Sequence, residues 1–305
     1  MATLTVTEDE LQKIGHVLLN SENSLAERFR ALFTLMNING PDAVKIICEG
    51  FKDSSELLKH ELAFCLGQMQ DLTALPTLEE VLEDKNQPII VRHEAGEAIG
   101  ALGQMESLPL LNKYLDHESK VLKQTCELAV MRIKHVHSNQ LGSDSPFSSV
   151  DPAPAFNKDK TCKELKDILL DPEQTLFDRY RAMFSLRNIS TPEAIDALVK
   201  GLDCDDSALF RHEIAYVLGQ MADKHAIEGL SEKLKDMSDD PMVRHECAEA
   251  LGAVDDPRCK EILSKHLTDN DLIVKQSCEI ALDMNECETQ HQFQYADTLE
   301  KIRIS

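Results

Sequence analysis

The sequence predicts an all-α fold: an α-solenoid of eight helical hairpins, arranged as two duplicated halves of four. Three observations predict it. Similar segments recur every 31 to 33 residues. The two halves repeat one another at an offset of 152 residues. Within each segment the apolar residues keep helical spacing, as in Leu62, Phe64, Cys65, Leu66 and Met69.

In the first half the segments are FRALFTLMNI (29–38), HELAFCLGQM (60–69), HEAGEAIGAL (93–102) and QTCELAVMRI (124–133). In the second half they are YRAMFSLRNI (180–189), HEIAYVLGQM (212–221), HECAEALGAV (245–254) and QSCEIALDMN (276–285). His60 to His212, His93 to His245 and Lys123 to Lys275 all span 152 residues. Self-similarity at this period signals stacked helix pairs, each burying its apolar face on its neighbours. Each repeat reads as helix, turn, helix. Pro88 and Pro241 suit a first helical position, where a missing N–H costs nothing. Asp53-Ser54-Ser55-Glu56 resembles a capping box.

Residues 1–136 form the N-terminal half, with four hairpins. Residues 161–305 form the C-terminal half, with four more. Between them, 137–160 is rich in Ser, Pro and Asp and has no periodicity, which predicts a flexible, surface-exposed linker. Such a solenoid curves and lines its concave face with one helix of each repeat.

Composition narrows the partners. The 305 residues carry a net charge of −22. A surface this negative repels phosphate backbones and anionic lipid, so neither nucleic acid nor a membrane is expected as a partner. A basic protein or a polyamine-like ligand is favoured. Trp is absent and aromatics are 5%, which suits an aliphatic core. No apolar run approaches the about 18 residues of a membrane span. The opening MATLTVTEDELQK has no signal-peptide pattern. Nine cysteines without a CxxC pair read as reduced thiols, so a cytoplasmic location is expected.

Two polar residues interrupt the repeat pattern. His60-Glu61, His93-Glu94, His212-Glu213 and His245-Glu246 stand at one repeat phase, in the middle two repeats of each half. The outer repeats carry Phe29-Arg30, Gln124-Thr125, Tyr180-Arg181 and Gln276-Ser277 there. Equivalent residues on adjacent helices lie roughly 9–10 Å apart. His60 and His93 can therefore converge on one ion, as can His212 and His245. Adjacent residues on a helix diverge by about 100°, so His and Glu of one pair do not both point straight inward. Two imidazoles with a carboxylate and open positions suit non-haem iron and its oxygen chemistry. Zinc fits less well, and manganese is compatible with the ligand types.

Other residues have plainer readings. Glu97 and Glu249 lie one turn beyond Glu94 and Glu246, as supports behind the ligands or as solvated groups. Phe64, Tyr216, Cys126 and Cys278 read as core. Arg92 and Arg244, with Glu94 and Glu246, also fit an exposed repeat consensus. A fifth pair, His117-Glu118, has Asp269-Asn270 as its counterpart and reads as coincidence.

A four-plus-four array of HEAT-like hairpins with two His-Glu pairs in each half resembles the deoxyhypusine hydroxylase family across nearly the whole chain, with all eight motif residues present. The resemblance implies a di-iron monooxygenase using O₂ as co-substrate and two iron ions per chain. It implies, as substrate, the deoxyhypusine side chain of translation initiation factor 5A, converted to hypusine. By the same resemblance His60, His93 and Glu94 bind one iron, His212, His245 and Glu246 the other, and Glu61 and Glu213 mainly hold the amine-bearing substrate. Two other readings fit the residues alone: a metal-free scaffold, and an O₂-independent hydrolase using manganese or zinc.

Overall fold

The computed structural model describes residues 6–138, 145–157, 159–289 and 296–304. Its helices come in consecutive pairs. In the first half these are α1 (Glu8–Leu19) with α2 (Leu25–Ile38), α3 (Pro41–Glu49) with α4 (Glu56–Met69), α5 (Leu75–Glu83) with α6 (Ile89–Leu102), and α7 (Leu108–Asn112) with α8 (Lys120–His137). In the second half they are α9 (Cys162–Leu170) with α10 (Leu176–Ile189), α11 (Pro192–Gly201) with α12 (Ala208–Met221), α13 (Ile227–Lys235) with α14 (Pro241–Gly252), and α15 (Pro257–Ser264) with α16 (Leu272–Thr289). A last helix, α17 (Thr298–Ile304), packs on α1 and α2.

Local chemistry sets the helix starts. Thr7, Ser24 and Thr161 each form a reciprocal box with Glu10, Glu27 and Glu164. The box expected at Asp53–Glu56 does not form. Ser55 caps α4 through the Leu58 N–H, because Asp53 is drawn to the buried guanidinium of Arg28. Pro241 opens α14, whereas Pro88 stands one residue earlier, as the cap of α6.

The first and third hairpins of each half are stapled inside. Arg28, Arg92, Arg179 and Arg244 are buried, and each Nε donates to the carbonyl ten residues earlier, on Leu18, Leu82, Leu169 and Leu234, at 2.8 to 3.0 Å. Those carbonyls end the outer helices, where the last C=O groups lack helical partners. Arg28, Arg179 and Arg244 also pair with Asp53, Asp206 and Asp269 of the following hairpin. Arg92 and Arg244 are thus structural, not the exposed consensus residues that the sequence suggested.

The even-numbered helices form an inner row, and the row closes. Packing runs from α2 through α4, α6, α8, α10, α12 and α14 to α16, which returns to α2. The expected α-solenoid therefore closes on itself as a ring. Small residues let the inner helices approach. A Cβ on Gly67 would sit 3.0 Å from the Ala98 Cα, and one on Gly219 the same distance from the Ala250 Cα. On Gly100 and Gly252 it would meet the Cα of Ala129 at 2.9 Å and of Ala281 at 2.7 Å.

The two junctions between halves are the same contact made twice. Ser207 Oγ donates to Gln124 Oε1 at 2.8 Å, and Ser55 Oγ to Gln276 Oε1 at 3.2 Å. Leu128 on α8 is buried in the core of the second half, and its counterpart Ile280 on α16 in the core of the first. At the second junction Arg30 also pairs with Asp283 and Asp297.

The linker differs from expectation. Residues 139–144 and 158 lie outside the described residues, but 145–157 is not a loose surface spacer. Pro152, Ala153 and Ala155 are buried. Gln68 Oε1 accepts from the Val150 N–H at 2.8 Å, and Gln220 Nε2 donates to Ser149 Oγ at 3.0 Å. Both carboxylate oxygens of Asp151 accept from the fully buried Arg187, at 2.8 and 2.6 Å. A string of Ser, Pro and Asp has no periodicity to betray such anchors. Among the described residues no helix is long and apolar enough to cross a membrane.

Two stability measurements follow from this packing. Gly252→Ala forces α14 and α16 apart and costs about 1–3 kcal/mol in denaturant unfolding, the usual range for overpacking. Asp151→Ala leaves Arg187 buried without its counter-ion and costs about 3–5 kcal/mol in the same assay.

Candidate metal centre

The four His-Glu pairs enter on α4, α6, α12 and α14, the helices that the glycine contacts draw together. Those helices are buried nearly all round, so polar residues on them have no solvent to face. His60, His93, His212 and His245 are all buried, as are Glu61, Glu94, Glu213 and Glu246.

The imidazoles gather as one cluster. Ring centroids are 5.8 Å apart for His60–His93 and 5.3 Å for His212–His245. Distances between halves are as short: 5.3 Å for His60–His245, 5.4 Å for His93–His212 and 5.8 Å for His60–His212. Convergence within each half was expected from helix spacing. Ring closure adds the second pair to the first.

Two glutamates complete the cluster. Glu94 Oε2 lies 3.2 Å from His60 Nε2 and 3.4 Å from His93 Nε2. Glu246 Oε2 lies 3.3 Å from His212 Nε2. Donor atoms of His60, His93 and His212 lie within 4.8 Å of one another, as do those of His212, His245 and Glu246, and those of His93, Glu94 and Glu97. All four Nε2 atoms are buried without a hydrogen-bond partner. A buried ring nitrogen ordinarily finds one, so these atoms are presented to something else.

The opposite ring nitrogen is fixed in two of the four. His93 Nδ1 lies 3.1 Å from Thr125 Oγ1. His245 Nδ1 lies 3.3 Å from Glu249 Oε1 and 3.5 Å from Ser277 Oγ, and Ser277 also donates to Glu249 at 2.8 Å. Holding Nδ1 sets the ring orientation and aims Nε2, as is usual around metal-bound histidines. Sequence reading missed Thr125 and Ser277. Their signal was present: they occupy the glutamate position of the motif in the flanking repeats.

A cavity of about 70 Å³ opens beside the cluster. Glu61, Glu97, Glu213 and Glu249 line it, with Phe64 and Tyr216, whose rings meet edge-on at 5.7 Å. Phe64 and Tyr216 were expected in the core. Their bodies do pack on it, but one face borders the cavity because the two halves meet there. Cys126 and Cys278 are buried as read. His117 is structural, accepting the Ser119 N–H at 3.0 Å, and its counterpart Asp269 serves Arg244.

The electrostatics are those of crowded like groups. Burial, then Glu249, pushes Glu61 well above the usual carboxylate range. Burial with Glu94 does so for Glu213, and burial with Glu213 for Glu97. Burial and Glu249 raise Glu246 to about 8. Burial and neighbouring imidazoles push His93 well down and lower His212 to about 4. His60 is the exception: burial disfavours its charge, but Glu94 outweighs burial and holds it at about 9. Divalent cations would reverse this balance, favouring bare carboxylates and neutral imidazoles. The donors are imidazole nitrogen and carboxylate oxygen without thiolate, which fits non-haem iron.

Known proteins resemble this chain closely. A family model of HEAT repeats matches residues 195–283, and one described as PBS lyase HEAT-like repeat matches 58–84, 91–117 and 178–204. The deoxyhypusine hydroxylase of Drosophila melanogaster is 51% identical over 298 residues, covering 97% of this chain and 98% of that one. The Mus musculus enzyme is 50% identical over 300 residues, covering 98% and 99%. The solved structure of human deoxyhypusine hydroxylase in complex with glycerol matches with a TM-score of 0.88 at 48% identity, over 92% of this chain and 96% of that one. With identity of this depth along nearly the whole length, the chain belongs to the deoxyhypusine hydroxylase family.

Proposed function

We propose that the chain hydroxylates the deoxyhypusine side chain of translation initiation factor 5A, as an O₂-dependent di-iron monooxygenase. His60, His93 and Glu94 hold one iron, and His212, His245 and Glu246 the other. The observation that carries this reading is the set of four buried Nε2 atoms without hydrogen-bond partners, with the Glu94 and Glu246 oxygens beside them. Iron supplies the redox chemistry needed to activate O₂ toward an unactivated carbon, which side chains lack.

The chain's own residues do the rest. Thr125, Glu249 and Ser277 orient two of the ligand rings. Glu61 and Glu213 face the cavity and suit a long cationic chain, whose amine gains charge-assisted hydrogen bonds there. The four His-Glu pairs are buried, which limits the access of bulk water to the cluster. The net charge of −22 favours a basic partner surface around the modified side chain. The eight described cysteines are free thiols, which accords with a cytoplasmic location.

Elemental analysis by mass spectrometry, with a hydroxylation assay on the same sample, tests the reading. The wild-type protein is expected to carry close to two irons per chain. His60→Ala and His245→Ala each lower the iron content and abolish hydroxylation; full activity in either variant refutes the ligand assignment. Metal binding also has an expected pH dependence. Glu246 keeps its proton up to about 8 and His60 up to about 9, yet both must be bare to ligate. Iron affinity therefore rises with pH through that range, and binding at neutral pH releases protons. Calorimetry in buffers of different ionisation enthalpy measures that release.

A further inference from the structure

The ring is nearly two-fold symmetric, but the substrate side chain is not. Something must decide which side of the cavity receives the amine. Glu97 and Glu249 are equivalent by the 152-residue offset, and both line the cavity. Their engagements differ. Glu249 is committed to His245 Nδ1 and the Ser277 hydroxyl. In the other half Thr125 takes that role at His93, and Glu97 makes no hydrogen bond or ion pair among the described residues. Thr125 carries a methyl group where Ser277 has none, and the His93 ring sits on its hydroxyl without a carboxylate between them.

Glu97 and Glu213 come from different halves and line the same cavity, and the charge of Glu213 raises Glu97. Glu213 is 2% exposed, lines the cavity, and its Oε1 has no hydrogen-bond partner. Tyr216 stands one turn beyond Glu213, where the first half has Phe64. Its hydroxyl accepts from Gln220 Nε2 at 2.9 Å, leaving the phenolic proton to donate. Among the described residues Glu61, Glu97 and Glu213 make no hydrogen bond or ion pair, whereas Glu249 is engaged. The Tyr216 hydroxyl stands one turn beyond Glu213, and a bare phenyl ring one turn beyond Glu61.

We infer that Glu97, with Glu213, is the substrate-side carboxylate pair that receives the protonated amine of the substrate, while Glu249 is a positioning residue for His245. The inference rests on the hydroxylase reading and deepens it.

The test compares Glu97→Gln, Glu97→Asp and Glu249→Gln in the full-length, iron-loaded protein, with the deoxyhypusine-bearing initiation factor as substrate. KM, kcat and iron content are measured for each. Glu97→Gln is expected to raise KM about tenfold or more, the cost of one charge-assisted bond, at unchanged iron content. Glu97→Asp keeps the charge and recovers most of that loss. Glu249→Gln is expected to lower iron affinity about 10–100-fold, as loss of a ligand's support does, and to lower kcat more than it raises KM. Equal KM effects of Glu97→Gln and Glu249→Gln, or loss of iron in Glu97→Gln, overturn the inference while leaving the hydroxylase reading intact. A wild-type protein that does not hydroxylate overturns both.

Discussion

Everything at the centre of this molecule depends on how closely its inner helices approach. Backbone meets backbone where Gly67, Gly100, Gly219 and Gly252 face alanines of the next helix. Without side chains to hold them apart, α4, α6, α12 and α14 bring imidazoles from four helices to ring distances of 5.3 to 5.8 Å. Each glycine stands about two turns beyond its histidine, so the tight contact and the polar cluster belong to the same helices. The arginine staples complement this. They fix four of the outer helices to their inner partners, leaving the inner row to set the geometry of the site.

The cluster carries an energetic cost that apolar packing must offset. Four imidazoles and several carboxylates are buried where unpaired charge is strongly disfavoured. Like groups push one another toward their neutral forms. Such an arrangement is poor design for a scaffold and good design for holding cations, because a dication satisfies all the donors at once. A bound dication would relieve that crowding, and the relief would add to the affinity for metal.

Much of this was legible in the sequence, for reasons that can be named. Hairpins repeat because each needs the same apolar face, so helix count and phase show through as periodicity. The His-Glu pairs were visible because they break that periodicity at one phase in adjacent repeats. That two half-sites must face each other to make a dinuclear centre could be read from the pairs, but the contacts that close the ring could not. These include Ser55–Gln276 and Ser207–Gln124, ordinary polar residues whose meeting is decided by curvature summed over many hairpins. The anchored linker was hidden for a related reason, since Asp151 finds Arg187 only once the halves are assembled. Phe64 and Tyr216 were misread because core residues and cavity walls carry the same apolar signal. Thr125 and Ser277 stand at the motif's glutamate phase in the flanking repeats, but a hydroxyl there does not by itself announce that it supports a ring nitrogen.

The doubled junction has a further implication. A contact in which surface i meets j and j meets i is isologous, the kind that two-fold dimers use. One half of this chain presents both sides of it: Ser55 and Gln124 together, or Ser207 and Gln276 together. Two copies of a half are the smallest set that satisfies every such surface. Joining them in one polypeptide turns a concentration-dependent association into an intramolecular one, with an effective concentration on the order of millimolar. It also frees each copy to change alone. In a true homodimer Thr125 and Ser277, or Phe64 and Tyr216, would have to be identical. Fusion removes that constraint, and a symmetric shell can then hold a site with a left and a right.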